Sequence, residues 1–294
     1  MGARDALDDV VFDAGGLAAA AREYAFSPRD FERVRRLIYT RAGISLNDSK
    51  QNMVYSRLSR RLRATGASDF PEYLDRIESD AVFAATEEQE FVNALTTNLT
   101  AFFREAHHFP VLAAFLEARA RVPLRIWCAA AATGEEPYSI AMTMLDALGP
   151  TPNARLLATD IDTNVLAQAR RGVYRIDAVR VCGDVRMKRH FLRGTGQNEG
   201  LARVRQDIER LVEFAQLNLL EAGWDAQRKF ADPLDAVFIR NVMIYFDKAT
   251  QRRILERIAG VLRPGGLLFV GHSENFTDSR TLFTLRGKTV YERV

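Results

Sequence analysis

Residues 132–141, Ala-Thr-Gly-Glu-Glu-Pro-Tyr-Ser-Ile-Ala, stand just behind the apolar run Leu124-Arg125-Ile126-Trp127-Cys128. An apolar run, small residues and then a proline-started amphipathic stretch predict a strand, a tight loop and a helix. Small side chains across 129–134 let a ligand approach the backbone. Pro137 suits a first helical turn, whose amides make a seat for negative charge. An ordinary strand-to-helix turn uses the same pattern. Further along, Leu156-Leu157-Ala158-Thr159-Asp160-Ile161-Asp162 reads as a second buried strand ending in carboxylates, with a helical run over 165–171 that stops at Gly172. An acid at the tip of the second strand of a βαβ unit is placed to accept hydrogen bonds from ribose hydroxyls. Asp162 reads as the helix N-cap, which leaves Asp160 as the ribose ligand. Alanines stand where a G-x-G-x-x-G fingerprint would begin. That argues against a dinucleotide and for an adenosine ligand without a diphosphate, such as S-adenosylmethionine.

The elements around these residues alternate. Strands are expected over 212–217, 234–239, 267–271 and 289–293, with a helix over 249–262 closed by Arg263-Pro264-Gly265-Gly266. Alternating strands and helices predict an α/β domain with a mostly parallel sheet covered on both faces. Residues 174–211 break the alternation with glycine-marked short runs, which suggest a small antiparallel excursion, either a decorated loop or a docking surface. Before the sheet, Ser27-Pro28-Arg29-Asp30 starts a helix, and the pattern stays helical with breaks at Gly43, Gly66 and Pro71. The chain therefore divides into a loose tail (1–25), an all-α domain (26–92), a linker (93–105) and an α/β domain (106–294).

Composition narrows the class. The 294 residues are 47% hydrophobic and 27% charged, with a net charge of +3, too small to argue for nucleic acid. The two cysteines, Cys128 and Cys182, suit a reducing cytoplasm rather than a disulfide framework. No apolar run is long enough for a membrane span, and the first residues carry no secretory pattern. His107 and His108 are expected to point in different directions on a helix, so no metal site is predicted.

Five motifs in register suggest a family. They are Thr96-Thr97-Asn98-Leu99-Thr100-Ala101-Phe102-Phe103-Arg104-Glu105, Gly134-Glu135-Glu136-Pro137-Tyr138-Ser139, Ala158-Thr159-Asp160-Ile161-Asp162, Arg240-Asn241-Val242-Met243-Ile244-Tyr245-Phe246 and Gly271-His272-Ser273-Glu274-Asn275. In this order, from about Phe26 to the C-terminus, the chain resembles the CheR family, the chemoreceptor glutamate methyltransferases of bacterial chemotaxis. The resemblance implies a Rossmann-like S-adenosylmethionine-dependent methyltransferase sheet, an inserted small antiparallel β subdomain and an N-terminal all-α domain that recognises substrate. It implies cofactor contacts from Asn98, Thr100 and Arg104 in the linker and from Glu135 in the first loop. Asp160, Asn218 with Leu219, and Arg240 with Asn241 would follow at successive strand ends. The sequence departs from the family at Ile239, where many relatives place cysteine, and at Ala131 and Ala132, where serine or cysteine is common. Small apolar or backbone contact with the cofactor is expected there.

The implied reaction moves a methyl group from the sulfonium of S-adenosylmethionine to a glutamate oxygen, leaving S-adenosylhomocysteine. A free glutamate has a pKa of about 4.3, so the nucleophile is already ionised at neutral pH and needs no base. Catalysis then rests on alignment and on replacing the carboxylate's water. Motif position assigns Arg104 to attract the acceptor carboxylate and Tyr245 to place a hydroxyl beside the reacting centre. Lys50, Arg57, Arg60, Arg61 and Arg63 form a run without an acid, four of them on one helix face. By itself such a run reads as a solvated positive face. With the family it reads as a contact for acidic methylation helices of a receptor, weakening as salt rises. No aromatics are interleaved to stack bases, so nucleic acid is not expected. The inserted β excursion resembles the family subset that grips a peptide at the receptor C-terminus, by strand addition. A monomer is expected. An NAD-dependent oxidoreductase is disfavoured by the missing glycine fingerprint. A methyltransferase for RNA or small molecules, and a binding-only adaptor, are the competing classes.

Overall fold

The computed structural model describes residues 22–224, 232–276 and 280–294. Most of the expected tail, 1–25, lies outside the described residues.

Four helices form the N-terminal domain: α1 (Pro28–Ala42), α2 (Gln51–Thr65), α3 (Phe70–Ser79) and α4 (Ala81–Leu95). Ser27 and Asp30 close a reciprocal capping box in front of α1, with Pro28 in its first turn. Gly43 and Gly66 end α1 and α2 in the left-handed conformation. Pro71, expected as a break, lies inside the first turn of α3 behind its Asp69 cap. A proline there gives up an amide that has no helical partner. Val34, Ile38, Val54, Leu58, Leu62 and Phe91 are fully buried against one another. Each such side chain contributes roughly 1.5–3 kcal/mol of burial.

Two arginines of the basic run are turned inward. Arg61 forms a two-pronged pair with the buried Glu87 (2.8 and 2.6 Å), which also accepts the Tyr73 hydroxyl at 2.8 Å. Arg57 donates to the carbonyls of Ala94 and Thr96. Arg63 pairs with Glu23 at the surface (3.0 Å). Three of the five basic residues are thus engaged within the chain, Arg57 and Arg61 because α4 and the residue that ends it present carboxylate and carbonyl acceptors to the same side of α2. Lys50 and Arg60 stay exposed without a side-chain partner among the described residues. Tyr55, within the same stretch, packs on Phe26 and Phe70 rather than joining the basic face.

The second domain opens with α5 (His108–Glu117), β1 (Leu124–Cys128), α6 (Glu135–Leu148), β2 (Ala154–Asp160) and α7 (Thr163–Arg171). The excursion holds β3 (Val173–Arg175), α8 (Ile176–Val179), α9 (Gly183–His190), β4 (Phe191–Arg193), β5 (Leu201–Val204) and α10 (Gln206–Glu209). Then come β6 (Val212–Gln216), β7 (Leu234–Ile239), α11 (Lys248–Val261), β8 (Leu262–Val270), β9 (Phe283–Gly287) and β10 (Val290–Arg293). The main sheet runs β6-β2-β1-β7-β8-β10-β9. Its first five strands are parallel, and at one edge β10 runs antiparallel between β8 and β9. The strand β9 was not anticipated, and β8 begins at Leu262, so the Arg-Pro-Gly-Gly stretch belongs to a strand rather than to a turn. Strand pleating sorts the core into two layers: Ile126, Cys128, Ala236 and Phe238 face one, Trp127, Val237 and Ile239 the other.

The excursion contains the expected antiparallel sheet, ordered β3-β5-β4, and also the helices α8 and α9, which the glycine pattern hid. It is anchored to the main domain. The Tyr174 hydroxyl donates to the Thr133 carbonyl (2.8 Å), and Phe102 meets Tyr174 and Phe191 edge-on at 4.9 and 5.5 Å. Among the described residues, no helix is long and apolar enough to cross a membrane.

Candidate active site

A cleft enclosing about 900 Å³, its open mouth included, lies over the C-terminal ends of β1, β2, β6 and β7. Ligands of parallel α/β sheets bind at those ends because the loops there are free to carry function. The N-terminal domain closes one side with Ala42 and Ile44 and with the linker residues Leu95 to Thr100.

The first loop forms as expected. Gly134 has φ +101° and caps α6, and a Cβ there would come within 2.6 Å of the Tyr174 hydroxyl, so only glycine fits. Ala132, at φ +45°, aims its N–H at Asp160 Oδ2 (2.8 Å), while the Asp162 N–H donates to Asp160 Oδ1 (3.0 Å). Burial pushes the Asp160 carboxyl up to about 6 despite these amides. Asp162 caps α7 through Oδ1 as predicted. Its Oδ2 also accepts from Thr96 Oγ1 and Asn98 Nδ2, both at 2.7 Å, and so fastens the linker across the cleft.

Of the sequence-predicted residues, Asn98, Thr100, Arg104, Asp160, Asn218 and Leu219 line the cleft, as do Arg240, Asn241 and Tyr245. Glu135 does not. Its carboxylate folds back onto Thr133 Oγ1 (2.6 Å), and the cleft wall is made by its neighbour Glu136. The helical turn between them sends adjacent side chains about 100° apart. Asn218 spends both ends of its amide on backbone, donating to the Arg41 carbonyl (2.7 Å) and accepting from the Leu220 N–H (3.0 Å). Of the departures from the family pattern, Ala132 lines the cleft, while Ala131 and Ile239 are buried outside its wall.

Three carboxylates that sequence reasoning left without roles organise the far wall. Arg240 is fully buried and pairs with Glu136 (2.8 Å) and Glu105 (3.6 Å), and it also donates to the Arg104 carbonyl. Burial raises Glu136 even so, because Arg240 offsets only part of that cost. Burial also raises the Glu105 carboxyl, but Arg240 and hydrogen bonds from His272 outweigh it and leave it below its ordinary value. Glu274 accepts the backbone N–H groups of Gly271 (2.6 Å), Asn241 (2.9 Å) and Met243 (2.8 Å). This clamp holds Asn241 at φ +58° and ties the ends of β7 and β8 together. An arginine directly behind the apolar run Ala-Val-Phe-Ile of β7 is the one sequence signal that a buried carboxylate had to exist nearby.

Arg104 sits between two left-handed residues, Phe103 (φ +51°) and Glu105 (φ +54°), and donates to the Leu99 carbonyl at 2.9 Å. Such backbone costs about 1 kcal/mol or more per residue and persists only where its surroundings fix it. Here the Phe103 N–H is held by Ser139 Oγ (2.9 Å), and Glu105 by Arg240 and His272. Tyr245 is positioned by its carbonyl, which accepts the Ser45 N–H at 2.8 Å. Its hydroxyl has no protein partner among the described residues.

His107 and His108 do not diverge. Their rings lie 4.2 Å apart, and both Nε2 atoms reach Thr289 Oγ1 at 3.2 and 2.8 Å. His107 precedes α5 rather than lying in it, which lets the rings converge. Burial holds His108 down at about 3, hence neutral. Glu105, His107 and His108 bring ligand-type atoms within 4.8 Å of one another. The Arg240 guanidinium already supplies positive charge to that carboxylate.

Residues 98–292 match the CheR methyltransferase SAM-binding domain, and residues 29–96 match the CheR methyltransferase all-alpha domain. The chain is 53% identical to the chemotaxis protein methyltransferase of Salmonella typhimurium, over 94% of this chain and 93% of that protein. Identity is also 53% with the Escherichia coli protein of the same name, covering 91% of each chain. Chemotaxis protein methyltransferase 2 of Pseudomonas aeruginosa matches at 53% over 92% of this chain and 95% of its own. The cleft fits S-adenosylmethionine on its own chemistry. A buried carboxylate faces it at Asp160, apolar walls come from Ala129, Ile161 and Leu219, and a buried ion pair lies at the far end.

Proposed function

Since the chain belongs to the CheR methyltransferase family, we propose that it methylates glutamate side chains on the cytoplasmic helices of chemotaxis receptors, giving γ-methyl esters. The observation that carries this reading is the asymmetry of the cleft. Of its lining, Asp160 and Glu136 are buried, whereas Arg104 and Tyr245 are half-buried and reach solvent. The bound cofactor supplies a methyl group on a positively charged sulfur.

Asp160 accepts the ribose hydroxyls, and Leu219 and Ile161 flank the base. Arg240, offset by Glu136 and Glu105, keeps the far end polar without a net positive charge that would repel the sulfonium. Arg104 draws the acceptor carboxylate to the mouth, and the unpartnered Tyr245 hydroxyl steadies its approach. The ionised acceptor gives up no proton, so alignment and removal of water carry the rate.

Lys50, just before α2, and Arg60 on it are the cations left to meet the acidic receptor helix. The open edge of β4 takes the receptor's C-terminal peptide as an added strand. The protein works as a cytoplasmic monomer.

Transfer of labelled methyl from S-adenosylmethionine to a receptor cytoplasmic fragment, released by base as methanol, tests the reading. Base-labile label that disappears when acceptor glutamates become alanine is expected. Base-stable label or none would overturn it. Arg104→Ala and Tyr245→Phe should each lower kcat, and full turnover in both would remove the roles given to them. Calorimetry with the receptor C-terminal peptide tests the β4 edge, where absence of binding with cofactor affinity intact would discard it.

A further inference from the structure

Two large apolar side chains beside the cleft mouth have no use in the fold. Leu99 is 80% exposed and Ile244 is 51% exposed. Leu99 lies in the linker between Asn98 and Thr100, where side chains alternate. Its neighbours are half-buried at the cleft wall, and Leu99, which edges the same cleft, is turned largely to solvent. Ile244 sits in the single turn Met243–Tyr245, directly before Tyr245. Scattered apolar residues are ordinary on a surface. These two stand on the same two segments that carry the residues of the mouth: Arg104 donates to the Leu99 carbonyl at 2.9 Å, and Ile244 adjoins Tyr245.

A third residue completes the surroundings. In the order β2-β1-β7-β8 the adenosine end lies over β2, and Arg240 and Asn241 follow β7. The next strand end outward is that of β8, which runs into Gly271 and His272. His272 has a side chain 67% exposed. Glu105 Oε1 holds both its backbone N–H and its Nδ1 at 3.2 Å, which leaves Nε2 without a protein partner among the described residues. The ring is thus fixed in place and turned outward.

We propose that Leu99, Ile244 and His272 form a docking rim for the methyl acceptor, and that the rim takes an amphipathic acidic helix with apolar side chains one turn from the acceptor carboxylate. This rests on the carboxyl methyl transfer proposed above. A helix brings residues three or four positions apart onto one face, so a carboxylate entering at Arg104 carries apolar neighbours down onto Leu99 and Ile244. His272 meets the polar flank of the same face. Charge and shape agree on this occupant, since the cation at the mouth selects an acid and the apolar rim selects what stands beside it.

The test is steady-state kinetics of Leu99→Ala, Ile244→Ala and His272→Ala with the receptor cytoplasmic fragment as acceptor, alongside calorimetric S-adenosylhomocysteine binding. Each apolar truncation should raise the acceptor KM by about tenfold, the scale of losing a partly buried aliphatic side chain. His272→Ala should raise it less, and His272→Gln should restore part of the loss. Cofactor affinity should move less than about twofold in Ile244→Ala and His272→Ala. Unchanged KM in all three variants, with normal transfer by the native protein, would overturn the rim alone. No transfer by the native protein would overturn the acceptor assignment and the rim with it.

Discussion

Lowering the pH from 7 to 5 should weaken cofactor binding by about tenfold, and the slope should belong to Asp160. Burial raises this carboxyl from 3.8 to about 6 in the cofactor-free protein, against backbone hydrogen bonds led by those from Asp162 and Ala132. The folded chain therefore keeps this proton to higher pH than the unfolded chain does. Between about pH 4 and 6 stability from this group falls as pH rises, by about 3 kcal/mol in all. In the role proposed for Asp160, ribose hydroxyls donate to the ionised form, so binding must either find the carboxylate charged or expel its proton. With a pKa of about 6, roughly nine-tenths of the sites are ionised at pH 7 and about one-tenth at pH 5. That ratio is the expected change in Kd. Isothermal titration with S-adenosylhomocysteine at pH 5, 6 and 7, in buffers of different ionisation enthalpy, reads both the affinity and the released proton. Glu136 also lines the cleft and is also raised by burial, so the control is Asp160→Asn. It should lose about 10- to 100-fold in affinity at pH 7, the scale of a hydrogen bond to a charged group, and should show no slope. A flat profile in the native protein, or the same slope in Asp160→Asn, would refute the reasoning.

Truncation of Arg240 to alanine leaves Glu136 and Glu105 facing each other without a cation. A loss of about 3–5 kcal/mol is expected, seen as a fall in Tm on the order of 10 °C, with stability unaltered if the triad is dispensable. The two kinds of arginine on α2 should separate. Arg61→Ala strips the buried Glu87 of its partner and lowers Tm, whereas Arg60→Ala leaves Tm within about 1 °C but raises the acceptor KM and flattens its salt dependence. Gly134→Ala forces a side chain into φ +101° and against the Tyr174 hydroxyl, so thermal stability should fall by about 1–3 kcal/mol and S-adenosylhomocysteine binding should weaken in the same variant.

Much of this protein was decided locally and can be read from the chain. The capping box at Ser27 and Asp30, the glycine ends of α1, α2 and α7, and the strand-loop-helix around Gly134 each depend on residues within a few positions of one another. Asp160 is of this kind too, because a strand tip in a βαβ unit places its own side chain. Local pattern also located the excursion, although short helices with mixed polarity escaped it. What only the tertiary structure decided is which charges meet. Arg240 finds Glu136 from 104 positions away, Arg61 finds Glu87 from 26, and Thr289 draws His107 and His108 together from the far end of the chain. The choice of Glu136 over Glu135 for the cleft wall, and the removal of Arg57 and Arg61 from the basic face, follow from the same cause. A charge that enters a low-dielectric interior must be paired, and the pairing partner is set by how helices and strands pack, which no short window of sequence contains.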